Sequence, residues 1–267
     1  MLVETAGSSS AEMQGAMPET TRMAIGGLAV ADISGSEAIG RVEAALSGGP
    51  ALRLAFVNAH CVNVARRDAA YRTALAEFLL LPDGIGVDIG ARLLHGRRFR
   101  ENLNGTDFIP RRAASLSRPC RIALLGAAPG IAERAAAALS AQAPRHEIFA
   151  VADGYFSDAE RDAVLDRLAA ASPDIVLVAM GVPSQEMFIA RYLDERHGRV
   201  FLGVGALFDF LAGNVARAPR IVRKLRLEWA FRLAIEPRRL FRRYVVGNPL
   251  FLKDILQDRL RGRGGTS

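Results

Sequence analysis

The chain has 267 residues, half of them apolar, few aromatics and a net charge of +7. That composition excludes a disordered or low-complexity polymer and fits a packed α/β protein, either one large domain or a domain with an appendage. The charge is unevenly placed: residues 217–267 hold 14 Lys and Arg against four Asp and Glu, whereas residues 1–216 hold 21 against 24.

Residues 1–22, containing Ser, Gly and Glu, read as a mobile tail; they lack the basic start and apolar core of a signal peptide. From Met23 onward short apolar runs alternate with helical patterns. A helix is expected over 36–46, a strand over 52–58 and a helix over 68–77. The next strand, 78–81, leads to helices over 85–94 and 106–117. Three strand–helix pairs follow: 121–126 with 130–142, 147–152 with 157–171, and 174–180 with 184–196. The last core strand is expected at 200–204. Several strands are nearly continuous in Val, Ile and Leu, as strands covered on both faces are. Such alternation gives an α/β fold with a doubly wound, mainly parallel sheet flanked by helices. Ser157, ahead of Asp158 and Glu160, suits a helix N-cap, and Pro144 and Pro173 each stop a helix.

Beyond Gly213 the character changes. Ile221, Leu225, Trp229 and Leu233 recur every four residues as one apolar stripe, with Arg220, Arg223, Lys224 and Arg226 mostly off it. Pro237 and Pro249 are expected to break the segment into short helices. The organisation expected is a tail (1–22), an α/β core (23–214) and a basic amphipathic helical appendage (215–267). A localised basic segment reads as a contact with an anionic surface, membrane or nucleic acid. Aromatic residues for base stacking are not interleaved across a sheet face, so nucleic acid is not the expected partner. No run reaches the roughly 18 apolar residues of a transmembrane helix. Cys61 and Cys120 each adjoin an apolar run, as buried free thiols do, and have no partners at metal-ligand spacing.

In an open parallel sheet, ligands bind beyond the carboxyl ends of the strands. Those ends here are Asn58-Ala59-His60, Pro82-Asp83-Gly84, the Gly126–Gly130 turn, Asp153-Gly154-Tyr155, the Gly181–Glu186 turn and Gly205-Ala206-Leu207. Glycine turns that open helices offer free N–H groups and the positive helix end to a pyrophosphate. The Gly126 turn lacks the Lys-Ser/Thr of a P-loop, and the glycines of Gly203-Val204-Gly205 follow the last strand, where a dinucleotide fingerprint follows the first. No Asp-x-Asp motif adjoins an apolar strand, so a metal-bound nucleotide is not indicated, and Ser184 lacks the glycine elbow of a serine hydrolase. Pro82-Asp83-Gly84 is a turn by composition; after a buried strand, Asp83 could also serve as a general base. His60 and His95 lack a visible partner, and Asp107 and Asp153 suit helix caps or turns.

Six stretches carry a more specific signal: VNAHCVNVARRDAAYRTAL, LLPDGIGVDIGARLL, NGTDF, DGYF, VAMGVPSQEMFI and FLGVGALFDFLAGNVARAPRIVRKLRLEWAFRLAIEPRRLFRRY. In this order, spanning about 28–244, the chain resembles the WecG/TagA/CpsF bacterial glycosyltransferases. The resemblance implies an inverting, metal-independent enzyme without a cofactor. It would move a sugar from a UDP-sugar to a polyprenyl-diphosphate-linked saccharide in cell-surface or exopolysaccharide synthesis. Asp83 would be the catalytic base. Asn58 would touch donor or acceptor sugar, and Gln185 would lie near the nucleotide sugar. Gly84, Asn104, Asp107, Gly126, Gly181 and Gly205 complete the implied substrate cleft, with Arg217 and Arg220 reaching it from the appendage. The protein would be cytoplasmic, held to the inner membrane face by its basic end, and apolar positions there leave room for a homo-oligomer.

Two departures stand out. Members that transfer N-acetylmannosamine often carry Arg-Val-x-Gly where this chain has Asn102-Leu103-Asn104-Gly105, and Pro-Glu where it has Ala59-His60. The donor sugar is thus left open among N-acetylmannosamine, uronic acid and hexose types, and an altered acceptor is equally compatible with the departures. The alternatives are a Rossmann-type oxidoreductase, whose acidic ribose contact is not found, and a non-catalytic nucleotide-sugar-binding protein.

Overall fold

The computed structural model describes residues 20–219, 221–222 and 227–262. At its centre six strands form one parallel sheet: β3 (Leu52–Val57), β4 (Leu79–Pro82), β5 (Arg121–Gly126), β6 (Glu147–Ala152), β7 (Ile175–Ala179) and β8 (Val200–Gly203). Their order is β4-β3-β8-β7-β5-β6, with every neighbouring pair parallel. All six carboxyl ends therefore meet on one edge, as the alternation of strands and helices requires.

Alternate strand residues feed two cores. Leu54, Phe56, Leu124, Leu177 and Leu202 face α1 (Gly35–Leu46), α5 (Gly105–Ala113), α6 (Ile131–Gln142) and α9 (Leu207–Leu211). Ala55, Val57, Leu125, Val178 and Phe201 face the opposite layer of α2 (Ala59–Arg67), α3 (Ala69–Leu75), α4 (Ile85–His95), α7 (Arg161–Ala171) and α8 (Ser184–Tyr192). Caps fix several helix starts. Ser34 and Glu37 form a reciprocal capping box on α1, and Asn58, Asp68 and Asn104 each accept backbone N–H bonds at the starts of α2, α3 and α5.

The structure adds elements that the periodicity did not reveal. β1 (Arg22–Ile25) and β2 (Leu28–Ala31) make an antiparallel hairpin through Gly26-Gly27, with Met23, Ile25, Leu28 and Val30 buried. Arg22 thus belongs to a strand, while the expected tail over 1–19 lies outside the described residues. α2 forms where only a loop was expected. Conversely, α7 starts at Arg161, because Ser157 bonds Glu160 through both its N–H and its hydroxyl (2.8 Å each) and caps a preceding turn. Both cysteines are buried free thiols, as expected.

The C-terminal segment folds back over the core as α10 (Glu228–Ile235), α11 (Pro237–Phe241), a π-helical turn (Arg242–Val246) and α12 (Gly247–Leu260). Pro237 separates helices, as expected, by occupying the start of α11. Pro249 does not: it sits in the first turn of α12, just after the π turn. A wider turn there relieves the clash a proline ring makes with the carbonyl four residues earlier. The expected four-residue stripe is not one helix face, since Ile221 is 73% exposed and Leu225 lies outside the described residues. α12 packs on α2 and α4. Its Phe251 and Ile255 are fully buried, each such side chain contributing about 1.5–3 kcal/mol, and Arg66 pairs with Asp258 beside them.

Candidate active site

The chain leaves β5 toward β6 but leaves β7 toward β8, so the connections diverge at the ends of β5 and β7, the switch point at which open α/β sheets bind ligands. Beside it, the ends of β8, β3 and β4 bring Gly205, Asn58 and Asp83 to the same edge. The Asp83 N–H donates to the Val57 carbonyl (2.8 Å), which carries the β3–β4 ladder one residue past the strand. Asn58 occupies the equivalent place on β3. Its amide oxygen accepts from the N–H groups of His60 (3.0 Å) and Cys61 (3.3 Å), holding it beside Asp83.

Asp83 is half-buried, and desolvation pushes its carboxyl up to about 6. Arg243 opposes that rise most strongly. Glu228 adds to it, while the Asn58 hydrogen bond and Arg232 bring it down. Glu228, Arg232 and Arg243 all come from the C-terminal segment, so α10 and the π turn roof the site. Asn104 secures that roof by donating from Nδ2 to Glu228 Oε2 (3.2 Å). The Trp229 and Tyr244 rings meet edge-on at 6.1 Å, joining α10 to the π turn. Arg243 lies 5.5 Å over the Tyr244 ring and Arg232 lies 5.2 Å over Phe210; the buried Nε of each has no hydrogen-bond partner. Two guanidinium groups therefore converge near a carboxylate at the carboxyl edge of the sheet.

Burial, with Arg243 second, lowers His60 to about 4, so its imidazole is neutral at physiological pH. His95 instead bonds the Ala24 carbonyl at the hairpin (2.9 Å). Gly84 and Asn104 border Asp83: Gly84 follows it directly, and Leu103 donates to the Pro82 carbonyl (2.8 Å). Asp107 and Arg217 pair with each other, and Arg111 stands 3.9 Å from the same carboxylate; these contacts pin the chain after β8 onto α5. Arg220 lies outside the described residues. The sequence analysis singled out Arg217 and Arg220 among the appendage arginines; the residues that act on Asp83 are instead Arg232, Arg243 and Glu228, which it did not name.

Gln185 is buried. Its Oε1 accepts from the Gly205 N–H (2.9 Å) and its Nε2 donates to Glu186 Oε1 (2.7 Å). Its grip is thus on the Gly205 turn. The space exists because position 203 is glycine: a Cβ there would stand 2.8 Å from Gln185 Nε2 and 3.1 Å from Glu186 Oε1. Burial pushes Glu186 up to about 7 despite its bond from Gln185. The buried Tyr71 hydroxyl is close enough to influence Glu186 Oε2, yet neither atom reaches hydrogen-bond geometry.

Since the Glu186 carboxyl lies near 4.5 when unfolded, the stability it contributes is complete below that pH and is lost as pH rises through 7. Glu186→Gln keeps the acceptor for Gln185 and removes the charge. Its melting temperature should match the parent near pH 5 and exceed it by several degrees at pH 8, a gain on the order of 3 kcal/mol. Parallel melting curves at both pH values would sink this reading.

Among the described residues no grouping of three His, Cys, Asp or Glu side chains could hold a metal ion.

Comparisons with known proteins bear on the family of the chain. A family model described as "Glycosyl transferase WecG/TagA/CpsF family" matches residues 23–265. A Bacillus subtilis protein named N-acetylglucosaminyldiphosphoundecaprenol N-acetyl-beta-D-mannosaminyltransferase is 36% identical over 183 residues, 68% of this chain and 70% of that one. A Bacillus spizizenii protein of the same name is 36% identical over 165 residues, 61% of this chain and 63%, just under two thirds, of its own length.

Proposed function

Because the chain belongs to the WecG/TagA/CpsF family and is a glycosyltransferase, we propose that it transfers a sugar from a UDP-sugar to a hydroxyl of a polyprenyl-diphosphate-linked saccharide. The observation that carries this reading is Asp83, a carboxylate raised to about 6 at the strand edge, beneath two arginines. Its carboxylate takes the proton of the acceptor hydroxyl, and that oxygen attacks the anomeric carbon from the face opposite the departing UDP. The bond from the anomeric carbon to the diphosphate oxygen breaks, with inversion. Arg232 and Arg243 receive the charge that develops on the diphosphate, so no step is assigned to a metal. A base near neutrality is ionised at pH 7 and still basic enough to be effective.

The relatives' names supply an acceptor class, a sugar linked through diphosphate to undecaprenol, and a donor sugar, N-acetylmannosamine. Asn102-Leu103-Asn104 borders Asp83 and differs from the pattern common among N-acetylmannosamine transferases, which favours a different donor here. A lipid acceptor also needs the enzyme at a membrane. No helix of the described residues is long and apolar enough to cross one. α11 and the π turn expose Phe241, Val245 and Val246 beside Arg238 and Arg242, a mixed apolar and basic surface suited to the inner face of an anionic bilayer.

One assay tests these points together: a panel of UDP-sugars with a lipid-diphosphate saccharide presented in anionic or zwitterionic vesicles. Transfer from at least one UDP-sugar, faster on anionic vesicles, is expected. Transfer from none of the UDP-sugars, with transfer from a GDP- or CMP-sugar added to the panel, would overturn the donor assignment. Equal rates on both vesicle types would overturn the membrane assignment.

A further inference from the structure

The turn that carries Asp83 is held by four hydrogen bonds from outside it. Leu103 N–H donates to the Pro82 carbonyl (2.8 Å), and Asp83 N–H donates to the Val57 carbonyl (2.8 Å). Gly84 is gripped from both sides by a single side chain: Asn102 Oδ1 accepts its N–H (2.8 Å) while Asn102 Nδ2 donates to its carbonyl (2.9 Å). Gly84 needs such help. It sits at φ +85°, in the left-handed region that side-chain-bearing residues avoid, and as the residue capping α4 it has no side chain to steady the turn. A carboxamide presents an acceptor and a donor side by side on one rigid plane, without titrating. Two residues on, Asn104 ties the same segment to Glu228 of the roof.

We propose that Asn102 is a positioning residue for the base: its clamp on Gly84 fixes the direction of the Asp83 carboxylate, and Asn104 keys the roof to the same short segment. The proposal rests on the transferase reading, in which Asp83 takes the acceptor proton. Asn102 is assigned no substrate contact, because both of its amide atoms are engaged by Gly84. A displacement of about 1 Å in a reacting group can cost 10²-fold in rate, so loss of the clamp acts on turnover rather than binding.

The experiment uses the full chain with Asn102→Ala and the isosteric Asn102→Asp. Asn102→Ala should lower kcat about 10- to 100-fold, with KM for both substrates within about threefold. Asn102→Asp keeps the acceptor, loses the donor and sets a second carboxylate beside the base. It should lower kcat similarly and also move the acid limb of the rate profile to higher pH. Carbon-13 NMR titration of the Asp83 carboxyl, read in wild type and Asn102→Asp, should show the same upward shift without any turnover. Unchanged kcat in folded Asn102→Ala, a loss confined to KM, or an Asp83 titration indifferent to Asn102→Asp would each overturn the clamp. If the wild-type chain transfers no sugar at all, the transferase reading fails, and the NMR titration still decides the clamp.

Discussion

Asp83→Asn should lower kcat by about 10²–10⁴ while leaving the fold and the affinity for the UDP-sugar close to those of the parent. The amide has the same shape and can still accept a hydrogen bond, but it cannot take the acceptor's proton. Wild-type kcat/KM should therefore fall with decreasing pH below about 6, where the carboxyl becomes protonated, and level off above it. The same shift gives a second readout. The folded carboxyl lies above its ordinary 3.8, so its contribution to stability is complete below that value and is lost as pH rises through 6. Removing the charge relieves that loss, so at pH 8 the Asn variant should melt no lower than wild type. Folded, UDP-sugar-binding Asp83→Asn with near-normal turnover would remove Asp83 as the base.

Much of the scaffold was legible because strands buried on both faces announce themselves by composition. The run at 121–126 matches β5, buried along five of its six residues, to the residue; the run at 147–152 matches β6 as closely although that strand lies at the sheet edge and is only partly buried. The hairpin escaped because each of its strands has only four residues and much of it is Ala and Gly. α2 escaped because its start is set by the Asn58 cap, and the same asparagine also reads as a strand end. At the site, Asp83 could be placed at a strand end from sequence, but its environment could not. That environment comes from residues about 145–160 positions further along the chain, folded back by the π turn and by Phe251 and Ile255 burying α12. Gln185 illustrates the same limit. Its motif implied a place near the nucleotide sugar, while the fold shows its amide spent on Gly205 and Glu186.

Arg243→Met should be nearly as damaging as loss of the base, and its pH dependence separates the two tasks assigned to the guanidinium. Arg243 is the strongest influence holding the Asp83 carboxyl down. Without it, burial and Glu228 act less opposed, and the acid limb of the rate profile must move to higher pH. If that were its only task, activity would recover fully at pH 8.5, where Asp83 is ionised in either protein. The proposed second task, receiving charge from the departing diphosphate, predicts a residual loss of about 10²–10³ in kcat on that plateau, comparable to removing one preorganised donor. His60 reports the same change, since Arg243 also depresses it; its imidazole should titrate closer to its ordinary 6.5 in the variant. A plateau rate equal to wild type, with the acid limb displaced, would confine Arg243 to tuning the base and leave Arg232 as the described arginine beside Asp83 able to meet the diphosphate.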